Sequence, residues 1–151
     1  MMVVGMTKSF LFWWRWLVVV TLCFMTFSIM LVLAPHFTRR FFSLLIYASP
    51  EKINAFGSEA LTYISLLHAV LGAVMFGWGM ALLLTVLRPF KSMSLQAWQT
   101  IAASMAVWFT TDTAYSLWSG FWQNAAFNCV FIVLFAIPLI ATYKTCRQRS
   151  S

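Results

Sequence analysis

The sequence predicts an all-α integral membrane protein, a single four-helix transmembrane bundle with a short interfacial helical segment between the first and second helices. Three observations carry this prediction. Hydrophobic residues make up 62% of the 151 positions and charged residues only 9%. Soluble domains carry roughly 25% charged residues, so there is too little polar surface here to cover a water-soluble globule. Four apolar runs are each long enough for the ~20 residues a spanning helix needs. None alternates with period two, which excludes a barrel, the other structure that satisfies backbone groups in hydrocarbon. With no long polar insertion, the chain reads as one transmembrane domain over residues 1–151.

The first span covers about residues 10–34, includes the uncharged stretch LVVVTLCFMTFSIMLVL, and is closed by Pro35. Lys8 and Arg15 precede it as they would in a signal peptide. The run is too long for one and lacks a small-residue cleavage site before Pro35, so an uncleaved anchor is expected. The second, third and fourth spans cover about residues 59–87, 93–118 and 121–142, and none contains Lys or Arg. The linker RPFKS and the pair Ser119–Gly120 are short, so both are expected to be tight antiparallel hairpins that pack the last three helices in sequence order. The one long connection is residues 36–57. In it Phe37, Phe41, Leu44 and Leu45 recur at helical spacing behind Arg39 and Arg40, the pattern of an amphipathic helix lying in the interface. SPEKINAFG then reads as a second short helix, with Ser49 as N-cap, Pro50 first, Glu51 in the first turn and Gly57 past the end. A structured lid is expected.

The net charge of +7 comes from ten Lys and Arg against three acids. These cations sit at helix ends, where they orient spans and meet anionic headgroups, and no nucleic-acid module is visible. Lys8, Arg15, Arg88, Lys91, Lys144, Arg147 and Arg149 fall on one side, and Arg39, Arg40 and Lys52 on the other. That bias predicts both termini on the cytoplasmic or matrix-like side of a bacterial or mitochondrial inner membrane. Trp13, Trp14 and Trp16 at one end, with Trp118 and Trp122 at the other, fit aromatic belts. Cys23 and Cys129 lie in apolar runs as small packing residues. Cys146, beside Lys144 and Arg147, is read as unpaired, with S-palmitoylation as the alternative.

Asp112, in the run WFTTDTAYSLW, is the one acid inside a span, and an ionisable group in hydrocarbon is costly enough to be a functional candidate. If the third span surfaces near Trp118, the helical rise puts Asp112 about 9 Å below that surface, Asn124 and Asn128 about 6 and 12 Å, and His68 about 14 Å. Asn124 and Asn128 are one turn apart, as are Asp112 and Ser116, so the pairs can meet across the hairpin. The candidate polar cluster is therefore His68, Asp112, Ser116, Asn124 and Asn128, with Tyr115 turned elsewhere. It reads either as a proton-linked or headgroup-binding site, or as a hydrogen-bonded structural plug. A haem held by this chain alone lacks a second histidine in a span, because His36 lies in the connection. No GxSxG, HExxH, CxxC or phosphate-binding glycine loop occurs, so the sequence assigns no catalytic residue, metal or cofactor.

Ala69, Ala73 and Gly77, with Gly72 beside them, form a small-residue stripe on the second span, and Ala102 and Ala106 form one on the third. These stripes predict close packing of the two spans. Pro138 is expected to kink the fourth span and free a backbone carbonyl that a neighbour or water must satisfy.

The order LVLAPHF, an interfacial stretch, then LLHAVLGAVMFGWGMALLLTVLRP resembles the small four-helix bacterial membrane proteins of the DoxX-like group and related uncharacterised families. The likeness covers mainly residues 30–90 and rests on a Pro after the first helix and a Gly-rich second one. It implies at most a small component of a membrane redox assembly, since that wider group includes a subunit associated with thiosulfate:quinone oxidoreduction. No site residue transfers from it. Scarce soluble mass and no catalytic motif lead to the expectation of a non-enzymatic accessory or assembly subunit whose partners are the bilayer and other membrane subunits. The alternative is a small proton-linked transporter or quinone-linked component using the Asp112 cluster.

Overall fold

The computed structural model describes residues 7–150, which are helical with no strand among them. Five α-helices follow in order: α1 (Lys8–Leu33), α2 (Pro35–Tyr47), α3 (Ser58–Thr85), α4 (Leu95–Trp118) and α5 (Trp122–Ser150). α1, α3 with its π-turn extension, and α5 are long and apolar enough to cross a membrane.

Local chemistry sets the boundaries. Thr7 caps α1 by accepting from the Phe10 amide at 3.2 Å. Pro35 both ends α1 and starts α2, because a proline keeps the preceding residue out of the helical region and is itself suited to a first turn. The Thr38 hydroxyl donates to the Met30 carbonyl at 3.2 Å and braces that corner. Ala48, at φ 54°, ends α2. SPEKINAFG departs from the expected second α-helix: it is a turn followed by a 3₁₀ segment, Lys52–Ala55, without a side-chain cap. The Ser43 hydroxyl organises it, donating to the Ser49 carbonyl at 2.7 Å and accepting from the Ile53 amide at 3.1 Å. Gly57 lies past the end of this segment, as expected, and is at the same time the N-cap of α3.

Pro89 lacks an amide hydrogen, and α3 passes through one π turn, Val86–Phe90, before the chain reverses at Met93 (φ 61°). Ser94 caps α4 through the Ala97 amide at 3.3 Å. Gly120, at φ 81°, turns α4 into α5, and the two helices pack along each other as the hairpin requires. The other hairpin does not close. α3 packs along α1, α1 also meets α5, and α3 and α4 touch little beyond their linker.

The glycines explain why. A Cβ on Gly72 would lie 2.5 Å from the Ser28 carbonyl oxygen and 2.8 Å from Leu31 Cβ, and one on Gly79 would lie 2.6 Å from Met25 Cγ. The close approach is thus between α3 and α1, through glycines seven residues apart. Gly77 has nothing within 4 Å and Ala73 is exposed, while Ala69 is half-buried, so the four-residue stripe is not the packing face. Its spacing was right for some contact but pointed to the wrong side of the helix.

At the end holding the termini the bundle is packed around α1 and the α3–α4 linker, while a cavity of about 290 Å³ lies between α4 and α5, lined by Trp98, Phe135 and Leu139 among others. Phe10 stacks on Phe90 at 5.6 Å, and Val86, Ile101 and Phe135 are fully buried. Three indoles tie helices together here. Trp14 Nε1 donates to the Val86 carbonyl at 2.9 Å, Trp16 Nε1 to Leu134 at 3.0 Å, and Trp98 Nε1 to Leu139 at 2.7 Å. Leu134 is the carbonyl that Pro138 deprives of its helical donor, so Trp16 supplies the missing partner. Trp14 and Trp16 therefore face inward, unlike belt residues, whereas Trp118 and Trp122 are 92% and 64% exposed. Cys146 is fully buried in the same core, which withholds its thiol from acylation.

Candidate functional site

The opposite end, beneath α2, carries the polar residues. Asp112 and Ser116 are one turn apart on α4, and the tight Ser119–Gly120 turn sets Asn124 of α5 beside them. Asn124 Nδ2 donates to Asp112 Oδ1 at 3.1 Å and to Ser116 Oγ at 2.8 Å. The Ser116 hydroxyl donates to the Asp112 carbonyl at 2.7 Å. These three residues meet as the sequence predicts. Asn128, 2% exposed, does not join them directly: its Nδ2 donates to Thr113 Oγ1 at 3.3 Å, one position along α4. Tyr115 is 72% exposed, turned away from the cluster.

His68 is a clear departure. It shares the polar end but stacks on Phe42 of α2, with ring centroids 4.6 Å apart and planes 18° from parallel. Its Nδ1 is buried without a hydrogen-bond partner among the described residues, and it lines neither cavity that Asp112 borders. The reason is the lid: α2 lies over α3 here, and Phe42 occupies the space through which His68 would approach. Arg39 Nη1 donates to Ser65 Oγ at 2.8 Å, so Ser65, one turn before His68 on α3, serves as a dock for α2. Arg40 pairs with Glu51, and Asn54 also donates to Glu51, so the lid is pinned to itself as well as to α3.

Because α3 and α4 diverge, a cleft of about 480 Å³ opens between them. Leu71, Val74, Met75 and Trp78 of α3 form one wall, and Trp108 and Asp112 of α4 the other. Asn124, Phe127 and Asn128 of α5 form the floor, with Phe27 and Phe42 at the closed end. A smaller cavity of about 200 Å³ reaches Asp112 from the other side, past Ile46, Tyr115 and Phe121. The cluster is therefore a polar patch in an otherwise apolar, aromatic-walled cleft. Sequence reading missed Thr113, Trp78 and Trp108. Thr113 had a signal, as the neighbour of Asp112, whereas the two tryptophans were absorbed into the general aromatic content.

A second feature is the outward face of α4. Gln96, Gln99, Thr100, Ala103, Ala106, Val107, Thr110, Thr111 and Ala114 are all exposed along it. The face is small and rich in hydrogen-bonding groups, and α4 is accordingly absent from the three helices apolar enough to cross a membrane by composition. Among the described residues no group of three or more His, Cys, Asp and Glu side chains lies close enough together to hold a metal ion.

Compared with models of known protein families, with curated proteins and with solved structures, the chain matches none.

Proposed function

We propose that this chain is a four-span integral membrane protein that acts, without catalysis of its own, as an accessory or assembly subunit of a larger membrane complex. α1, α3, α4 and α5 are the spans, and α2 lies in the outer interface. Three helices support the membrane by length and apolarity. Phe37 and Leu44 of α2, each 51% exposed, are suited to the headgroup boundary. The observation that carries the assembly reading is the outward face of α4. A span that turns Gln96, Gln99, Thr110 and Thr111 outward loses hydrogen bonds in lipid and gains them against another helix, and Ala103 and Ala106 let that helix come close. The DoxX-like resemblance is consistent with membership of a membrane assembly. Purification from native membranes in mild detergent tests this: a stoichiometric partner is expected, lost when Ala106→Leu and Thr110→Leu block the face. A chain that runs alone overturns the reading.

Charge supports an orientation. Lys91 lies 4.7 Å from the Trp14 ring centroid and Arg149 Nη1 is 3.7 Å from Met93 Sδ, so the cations of the termini and of the α3–α4 linker gather at one end of the bundle. Arg39, Arg40 and Lys52 belong to the other end, and the excess points both termini to the cytoplasmic or matrix-like side. With single cysteines introduced on a background where Cys23 and Cys129 are replaced, Asn54→Cys is expected to label from outside intact cells and Ser150→Cys to stay protected. The reverse pattern inverts the orientation.

A second reading, a small proton-linked transporter or quinone-linked redox component, draws on Asp112 at the edge of the cleft. Loss of uptake or quinone reduction in vesicles carrying Asp112→Asn would favour it over the assembly reading.

A further inference from the structure

We infer that the cleft between α3 and α4 is a binding site for a lipophilic amine in its protonated, cationic form. The inference uses the membrane part of the reading above and requires no partner subunit. Counting hydrogens sets the polarity of the ligand. Asn124 has two amide hydrogens, and Asp112 Oδ1 and Ser116 Oγ take them. The single hydroxyl hydrogen of Ser116 goes to the Asp112 carbonyl, and Asn128 gives one amide hydrogen to Thr113. Asp112 Oδ2 and the amide oxygens of Asn124 and Asn128 are left without a donor among the described residues. Beside these three acceptors the second amide hydrogen of Asn128 and the hydroxyl hydrogen of Thr113 are also unassigned, and the indole hydrogens of Trp78 and Trp108 stand on the walls. A ligand that donates hydrogen bonds is met by the open acceptors at Asp112, Asn124 and Asn128.

Charge narrows the class further. Among the described residues Asp112 is the only ionisable one lining the cleft. On α2, Arg39 is engaged by Ser65 and His36, and Arg40 by Glu51. His68 of α3 lies behind Phe42, and the stretches of α1 and α5 that line the cleft bring no charged side chain. Among the described residues no cationic side chain lines either cavity that borders this carboxylate, and in surroundings poor in water its favourable partner is a cation. Trp78 and Trp108, 6.2 Å apart between ring centroids, add aromatic faces that attract a cation and accept the apolar remainder of the ligand. The cleft volume lies within the range of small-molecule sites. Val74, 66% exposed, stands at its rim, so entry is sideways between two helices, from the lipid. A neutral amphiphile would fill the walls and leave the charge unbalanced, and an anion would be repelled.

Calorimetric titration of the purified full chain in non-ionic detergent tests the proposal, with phenylbutylamine as the probe and phenylbutanol as its neutral counterpart. The amine is expected to saturate at one per chain. Asp112→Asn, which keeps the shape, is expected to weaken the amine about ten- to hundredfold, the range of a charge-assisted hydrogen bond, and to leave the alcohol unchanged. Val74→Trp fills the cleft from its rim without touching Asp112 and is expected to abolish saturable binding of both, with thermal unfolding as the check on folding. No saturable amine binding by the native chain, equal affinity for amine and alcohol, or amine affinity retained in Asp112→Asn would each overturn the site. Because the purified chain is tested alone, such a failure leaves the assembly reading standing, and loss of a partner subunit leaves the site standing.

Discussion

The two ends of the bundle are built from the same helices and spend their polar groups in opposite ways. At the end with the termini, Trp14, Trp16 and Trp98 give their indole hydrogens to backbone carbonyls of other helices, and Phe10, Phe90 and Phe135 fill the space between them. At the lid end, Trp78 and Trp108 hold no such bond and stand as walls, and Asp112, Asn124 and Asn128 border a cavity with acceptors to spare. Packing that is complete leaves nothing to offer a ligand. Packing that is open costs contacts but leaves a place where a ligand can make them. The first end holds the helices together, and the second leaves the space in which the proposed ligand would lodge.

The largest effect separates these roles directly. Phe90→Ala empties a fully buried position in the closed core and is expected to cost about 3–5 kcal/mol. Phe127→Ala, at a wall that already borders a cavity, is expected to cost clearly less, as read by denaturant unfolding in mixed micelles. Equal losses would mean that the lid end is as tightly filled as the other and would break the comparison.

A smaller difference sharpens the account of helix pairing. Gly72→Ala puts a methyl group against the Ser28 carbonyl and should cost about 1–3 kcal/mol by forcing α3 away from α1. Gly77→Ala meets nothing within 4 Å and should be neutral or gain up to ~1 kcal/mol from helix propensity. If Gly77 proves the more sensitive position, the α1–α3 pairing is wrong.

The smallest effects concern polar groups. Trp16→Phe removes the donor that serves the Leu134 carbonyl and should cost about 1–2 kcal/mol. Asp112→Asn keeps shape and hydrogen bonding and should stay within about 0.5 kcal/mol. Asp112→Leu strands the amide of Asn124 and should cost about 1–3 kcal/mol. Thermal unfolding of the three variants side by side gives the order, and an Asp112→Asn loss as large as that of Asp112→Leu would show that the charge itself holds the fold.

Much of this was legible along the chain. The apolar runs mark the helices, Pro35 marks a corner, and the two residues Ser119 and Gly120 leave α4 and α5 no choice but to pair. That pairing, with helical spacing, is enough to bring Asp112, Ser116 and Asn124 together, because the whole relationship is local. Pro138 foretold an orphan carbonyl for the same reason: the missing hydrogen is a property of one residue. Which residue would serve that carbonyl depended on a contact 118 positions away in the chain, and Trp16 gave no local sign of it. The partner of α3 was equally hidden. A helix that is apolar on every side does not encode which face is buried, so Ala69, Ala73 and Gly77 looked as suitable as the Gly72 beside them, and Gly79 passed unnoticed, until α1 was set against one face. His68 was misplaced because the lid, whose path depends on Arg39 reaching Ser65, puts Phe42 against its ring. Sequence by itself determined the helices, their ends and the one hairpin whose turn is too short to open. Only the tertiary structure decided which helices meet, and with that where the cleft lies, because close approach depends on the shape of both surfaces while periodicity reports only one.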